Sequence, residues 1–224
     1  MIFDPTYFLF VGPAFLLSLW ASFKTKSAFN KYSKVRASSG MTGAQAAQRL
    51  LDMANIHDVE VVPTRGMLSD HYNPMTKKLA LSESVYDSPS VAAIGVACHE
   101  AGHAIQHSKG YKPLWLRSLL VPTAGIGSNF GVYAMLFGLI LDFGGLFTLG
   151  VILFSAAVAF QVVTLPVEFD ASSRAKKLAP QMGIVTGERE AEGVSKVLNA
   201  AALTYVAAAL TSVMTLLYFL SRRN

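Results

Sequence analysis

His99-Glu100-Ala101-Gly102-His103 follows directly on an apolar run, Val91-Ala92-Ala93-Ile94-Gly95-Val96-Ala97-Cys98, with no helix breaker between them. Two imidazoles four positions apart on a helix lie on one face, one turn above the other, where they can grip a single Zn²⁺. Glu100 sits between them, within reach of a water on such a metal, and can take its proton for attack on a peptide carbonyl. Upstream, Ser88-Pro89-Ser90 offers an N-cap with proline at the first helical position. A charged Glu100 inside apolar flanks needs a chemical reason, which a pair of surface histidines does not provide. The small pair Ala101 and Gly102 leaves room for a second element to pack close.

The surroundings of that stretch are those of a membrane protein. The chain has 224 residues, of which 52% are hydrophobic and 15% charged, and its mean hydropathy is +0.41. This composition predicts a membrane protein with a modest polar domain. One cysteine, Cys98, excludes an internal disulfide framework. It adjoins His99, but neighbouring helix positions diverge by about 100°, which puts it in the core rather than on the metal. A net charge of +5 fits basic flanks facing anionic headgroups, not nucleic acid.

Four apolar runs are long enough to span a bilayer: Tyr7 to Phe23, Leu116 to Leu141, Gly145 to Leu165, and Ala200 to Leu220. The middle two form a hairpin joined around Asp142-Phe143-Gly144. Asp4 precedes the first run and Lys24, Lys26, Lys31, Lys34 and Arg36 follow it, the pattern of a signal anchor with an outward N-terminus. The positive-inside rule then divides the chain. Residues 1–23 are an anchor, 24–115 a cytoplasmic region with the histidine helix, and 116–165 a transmembrane hairpin. Residues 166–199 return to the cytoplasm and 200–224 form the last span. Arg222 and Arg223 fall on the outer side against the rule, so the side of the C-terminus stays open.

In the polar segments, Thr42-Gly43-Ala44-Gln45 starts a helix with a capping box, running to about Ala54. Val59, Val61 and Val62 predict a short strand ended by Pro63, and Leu79 to Ser82 a second one. Asp70-His71-Tyr72-Asn73-Pro74, between them, is dense in turn formers. Lys77–Ser82 is the segment expected to offer an exposed edge to an extended substrate. His71, Tyr72 and Asn73 are the polar candidates for oxyanion or substrate contacts.

A zinc site for hydrolysis needs a third protein ligand and an open position. His107 extends the histidine stripe but lies about 12 Å along the helix from His99, too far for one metal. It suits an outer, supporting contact instead. A third histidine at position 109 would mark another class, and Lys109 stands there. Asp142 fits an intramembrane protease of the site-2 type, but it sits at the expected outer tip, a bilayer away from His99. Glu168 and Asp170 remain, in Pro166-Val167-Glu168-Phe169-Asp170-Ala171-Ser172, where Pro166 is expected to open a new helix. They are about 200° apart on a helix, so one of them faces the metal.

The histidine motif, the two-span hairpin and then Glu-Phe-x-Ala followed by Ala-Lys-Lys-Leu resemble membrane metallopeptidases of the HtpX and CAAX prenyl endopeptidase type. The Asp-His-Tyr-Asn-Pro stretch, the single N-terminal span and the short length resemble more closely the YugP-like neutral zinc metallopeptidases of bacterial plasma membranes, over essentially the whole chain. The resemblance implies Glu168 as third zinc ligand. It also implies an aspartate four residues later, where this chain has Ser172; Ser172 or Asp170 would then have to steady a zinc histidine. The expected fold is a mainly α membrane protein, with about four transmembrane helices and a small cytoplasmic α+β zincin-like domain.

The expected function is hydrolysis of protein or peptide substrates at the cytoplasmic surface of a bacterial plasma membrane. His99, His103 and Glu168 would hold zinc and Glu100 would act as general base. Substrates embedded in the bilayer, including membrane proteins, are compatible with it. An intramembrane protease and a non-catalytic scaffold with a structural metal are the alternatives. Against the scaffold stands Glu100, a base that a structural site does not need.

Overall fold

The computed structural model describes residues 5–66 and 68–223. Asp4, on which the outward N-terminus was argued, lies outside the described residues. The elements are α1 (Pro5–Tyr32), α2 (Gly43–Met53), β1 (Glu60–Thr64), β2 (His71–Asn73), β3 (Lys78–Ser82), α3 (Glu83–Tyr86) and α4 (Val91–Ser108). Then follow α5 (Lys112–Ile126), a π turn (Gly127–Gly131), α6 (Val132–Ile140), α7 (Gly144–Gln181) and α8 (Glu188–Ser221). Among the described residues, four helical stretches are long and apolar enough to cross a membrane: Pro5–Tyr32, Lys112–Ile140, Gly144–Gln181 and Glu188–Ser221. The described residues are mostly helical, with one small mixed sheet.

Two compact units are formed. The first takes the chain up to Ser22, Lys112–Pro166, and Leu203 onward. Its helical hairpin turns at Asp142, which adopts φ +50°. Small residues set how closely the two arms approach. A Cβ on Gly127 would lie 2.1 Å from the Leu153 carbonyl oxygen, and one on Gly138 2.5 Å from the Phe147 nitrogen. From the other arm, a Cβ on Gly150 would meet the Met135 nitrogen at 2.5 Å. Backbone-to-backbone packing of this kind is how apolar helices associate where lipid removes the hydrophobic incentive.

The second unit comprises Phe23–Tyr111 and Val167–Ala202. Helix α2 begins as its sequence dictates: Thr42 accepts from the Gln45 backbone while the Gln45 side chain accepts from the Thr42 nitrogen. Helix α4 starts later than Ser88-Pro89 suggests. Its N-cap is Ser90, whose hydroxyl accepts from Ala93, while the Pro89 carbonyl accepts from Ala37 and ties the preceding strap to the chain after α1. Leu50, Leu51, Leu79, Leu81, Ile94 and Ile105 are fully buried around this helix.

Four sequence expectations are corrected by the structure. The sheet order is β1-β3-β2, with β1 parallel and β2 antiparallel to β3. Segment Lys78–Ser82 is therefore the central strand, and it has no edge to offer a substrate; Leu79, Ala80, Leu81 and Ser82 are all buried. His71–Asn73, read as turn, is the antiparallel edge strand. Pro63 lies inside β1 rather than ending it, which an edge strand tolerates because a missing N–H can face outward. Finally, Pro166 does not open a new helix: α7 runs through it from Gly144 to Gln181. Proline removes one helical hydrogen bond, a loss that a long helix with apolar flanks can absorb.

Gly131, where a Cβ would come within 2.8 Å of the Phe154 nitrogen, contrasts with Gly125, where a Cβ meets nothing within 4 Å. Gly131→Leu should therefore lower the thermal unfolding midpoint of the detergent-solubilised protein, at a cost of about 1–3 kcal/mol from overpacking. Gly125→Leu should leave it nearly unchanged.

Candidate metal centre

Within the second unit, α4 and the last part of α7 approach closely at one point. A Cβ on Gly102 would sit 2.8 Å from the Ala171 carbonyl oxygen and 3.3 Å from its Cα. That contact sets the histidine face of α4 against the glutamate face of α7. His99 and His103 stand one turn apart on the first helix, Glu168 and Ser172 one turn apart on the second.

The donor atoms of His99, His103 and Glu168 all lie within 4.8 Å of one another. His99 Nε2 is 3.1 Å from Glu168 Oε2, and His103 Nε2 is 3.6 Å from the same oxygen. Around a tetrahedral zinc with bonds of about 2.1 Å, neighbouring donors are separated by roughly 3.4 Å. The three side chains thus fit a zinc ion by type and by spacing. Asp170 is not in this group, although it is only two residues from Glu168.

The outward ring nitrogens are also engaged. His99 Nδ1 meets the Ser172 hydroxyl at 3.1 Å, and His103 Nδ1 meets Gln106 Oε1 at 3.0 Å. This leaves the Nε2 atoms facing Glu168, whose side chain is 2% exposed. Burial alone would push the His103 imidazole down, but hydrogen bonding to Glu168 and the charges of Glu100 and Glu168 outweigh it and hold it above its usual range. Glu100 is buried, at 8% exposure. Cys98 is fully buried, and burial pushes its thiol up to about 12, so it stays protonated and apolar in behaviour.

The remaining sequence candidates are spread along the edge of the sheet. Tyr72 Oη and His107 Nδ1 are 2.8 Å apart, joining β2 to α4. Burial, with the Asp58 charge adding to it, raises the Tyr72 phenol to about 12, so it remains a hydroxyl. His71 Nδ1 lies 2.8 Å from the Ser69 carbonyl. Asn73 Oδ1 accepts from the Met75 and Thr76 nitrogens, closing the turn after β2. His107 is exposed, and its described hydrogen bond goes to Tyr72 rather than to the three-residue group. Sequence reasoning missed Gln106, which is fully buried. Its signal was available: a glutamine one turn after His103, on the same helix face, must find partners if that face is buried.

Residues 7–224 match the protein family described as "Putative neutral zinc metallopeptidase". The chain belongs to that family. It is also 53% identical over 213 residues, 95% of this chain and 94% of the relative, to "Putative membrane protease YugP" of Bacillus subtilis (strain 168). No solved structure matches it. The family supports a zinc-dependent peptidase, and the relative's name together with the four apolar helices supports a membrane protein.

The contact at Gly102 gives a test of the geometry. Gly102→Ala should force the two helices apart, costing about 1–3 kcal/mol, and Gly102→Val should cost more. Thermal unfolding of the purified protein, read beside its zinc content, checks both.

Proposed function

We propose that this protein is a membrane-bound zinc endopeptidase of the gluzincin type, with His99, His103 and Glu168 as metal ligands and Glu100 as general base. The observation that carries the reading is the convergence of two Nε2 atoms on one buried carboxylate oxygen while both Nδ1 atoms are held from behind. A Zn²⁺ in such a three-donor set would supply a Lewis acid for a substrate carbonyl and for an attacking water. Glu100 would take the attacking water's proton at its carboxylate and pass it to the leaving amine nitrogen. The peptide C–N bond breaks, and the water oxygen ends in the new carboxyl group. The substrate lies as an added strand along the open edge of β2, paired through backbone groups. Tyr72 is the hydroxyl of that edge suited to donate to the developing oxyanion.

The domain reading places residues 1–23, 116–165 and 200–224 in the bilayer and residues 24–115 and 166–199 on its cytoplasmic side. It rests on the apolar lengths and on where the lysines and arginines fall. The preferred setting is a bacterial plasma membrane, and the substrates are proteins or peptides that reach its inner surface. Helix α4 is not among the four helices apolar and long enough to cross, which favours this surface site over an intramembrane one.

Glu100→Gln keeps size and hydrogen bonding but removes the base. It should lower cleavage of a fluorogenic casein by about 10²-fold or more, with zinc content unchanged. Glu168→Gln should lose both zinc and cleavage. Parental activity in purified Glu100→Gln protein would overturn the assignment of the base.

For topology, single cysteines at Lys26, Ser88 and Arg189 in a Cys98→Ser background should all resist membrane-impermeant thiol reagents in intact cells. Labelling at position 26 but not 189 would break the arrangement.

A further inference from the structure

Gln106 is fully buried, and each end of its amide has a partner. Its Nε2 lies 2.8 Å from the Val167 carbonyl oxygen and 2.7 Å from Asp170 Oδ2. Asp170 in turn receives Arg174, through Nε to Oδ2 at 2.6 Å and Nη2 to Oδ1 at 3.3 Å. We propose that Gln106 is a positioning residue that sets the tautomer of His103, its own orientation being fixed by Val167 and by the Asp170–Arg174 pair. The proposal rests on the reading of His103 as a zinc ligand.

The argument is one of donors and acceptors. A carbonyl oxygen only accepts, and a carboxylate clamped by an arginine offers only acceptors as well. Two acceptors at one end of the amide demand its NH₂ group there, so Oε1 must point the other way. Oε1 also only accepts, and it faces His103 Nδ1 at 3.0 Å. Nδ1 therefore carries a hydrogen, and the lone pair of the neutral ring is left on Nε2, the atom that faces Glu168. The opposite tautomer would bring two lone pairs together in a buried site, where nothing relieves the repulsion. Ser172, behind His99, cannot do the same, because a hydroxyl serves as donor or acceptor alike. His103 is thus the histidine whose ligating atom is set in advance. In this chain the aspartate acts on it through a glutamine rather than directly.

The test uses the full-length protein in detergent, with Zn²⁺ affinity measured by competition with a chromogenic chelator and histidine ¹⁵N spectra recorded on the zinc-loaded form. In the parent, His103 should bind through Nε2 and show an exchange-protected Nδ1–H. Gln106→Leu, of similar size but without hydrogen bonds, should bind Zn²⁺ about 10–100-fold more weakly and lose that protection. Asp170→Leu should weaken binding less, because Val167 still orients the amide, and should add nothing to Gln106→Leu in the double variant.

Coordination of His103 through Nδ1 in the parent would overturn the proposal, and that measurement needs no variant to fold. So would a folded Gln106→Leu protein with affinity within about twofold of the parent, provided Glu168→Gln loses the metal. If Glu168→Gln also kept zinc, the metal-centre reading itself would fall instead.

Discussion

A carboxylate removed from water must be met by positive charge or hydrogen-bond donors, and Glu168 is such a carboxylate. With its side chain 2% exposed, it depends on the two imidazoles opposite, at 3.1 and 3.6 Å. They in turn need fixed orientations, which Ser172 and Gln106 supply. The whole set requires α4 and α7 to approach until backbone touches backbone, and Gly102 against Ala171 is where that happens. Remove the close contact and the charge in the interior loses its partners.

The same constraint explains the uneven chemistry along α4. Its first turns, from Val91 to Cys98, bury small apolar residues against α2 and the sheet. The polar groups begin at His99, and His99, His103 and Gln106 find partners on α7 while His107 finds one on β2. Tyr72 with His107 joins the sheet edge to the end of the helix, while Gln106 joins the same turn to Val167 and Asp170. The helix is held on both sides by hydrogen bonds, and its midpoint by packing.

Membership of a neutral zinc metallopeptidase family, over nearly the full length, agrees with the donor set that the second unit assembles. The apolar helices account for the other half of the protein. Their glycines bring backbones together by close packing, as Gly127, Gly138 and Gly150 illustrate.

Local signals were legible in the sequence. The Thr42–Gln45 capping box, the apolar spans and the break at Asp142 depend on residues a few positions apart. The spacing of His99 and His103 is equally local, since one helical turn fixes it. Pairing between distant segments was not legible. Lys78–Ser82 reads as a strand from its own residues, but only the pairing of β1 on one side and β2 on the other makes it central. Pro166 looks like a helix start in isolation, yet the apolar turns on both sides carry α7 through it. That Glu168 rather than Asp170 faces the two histidines, and that Gln106 reaches Asp170, follows from how the two helices rotate against each other at Gly102. Sequence determines which faces a helix has; only packing determines which face meets which.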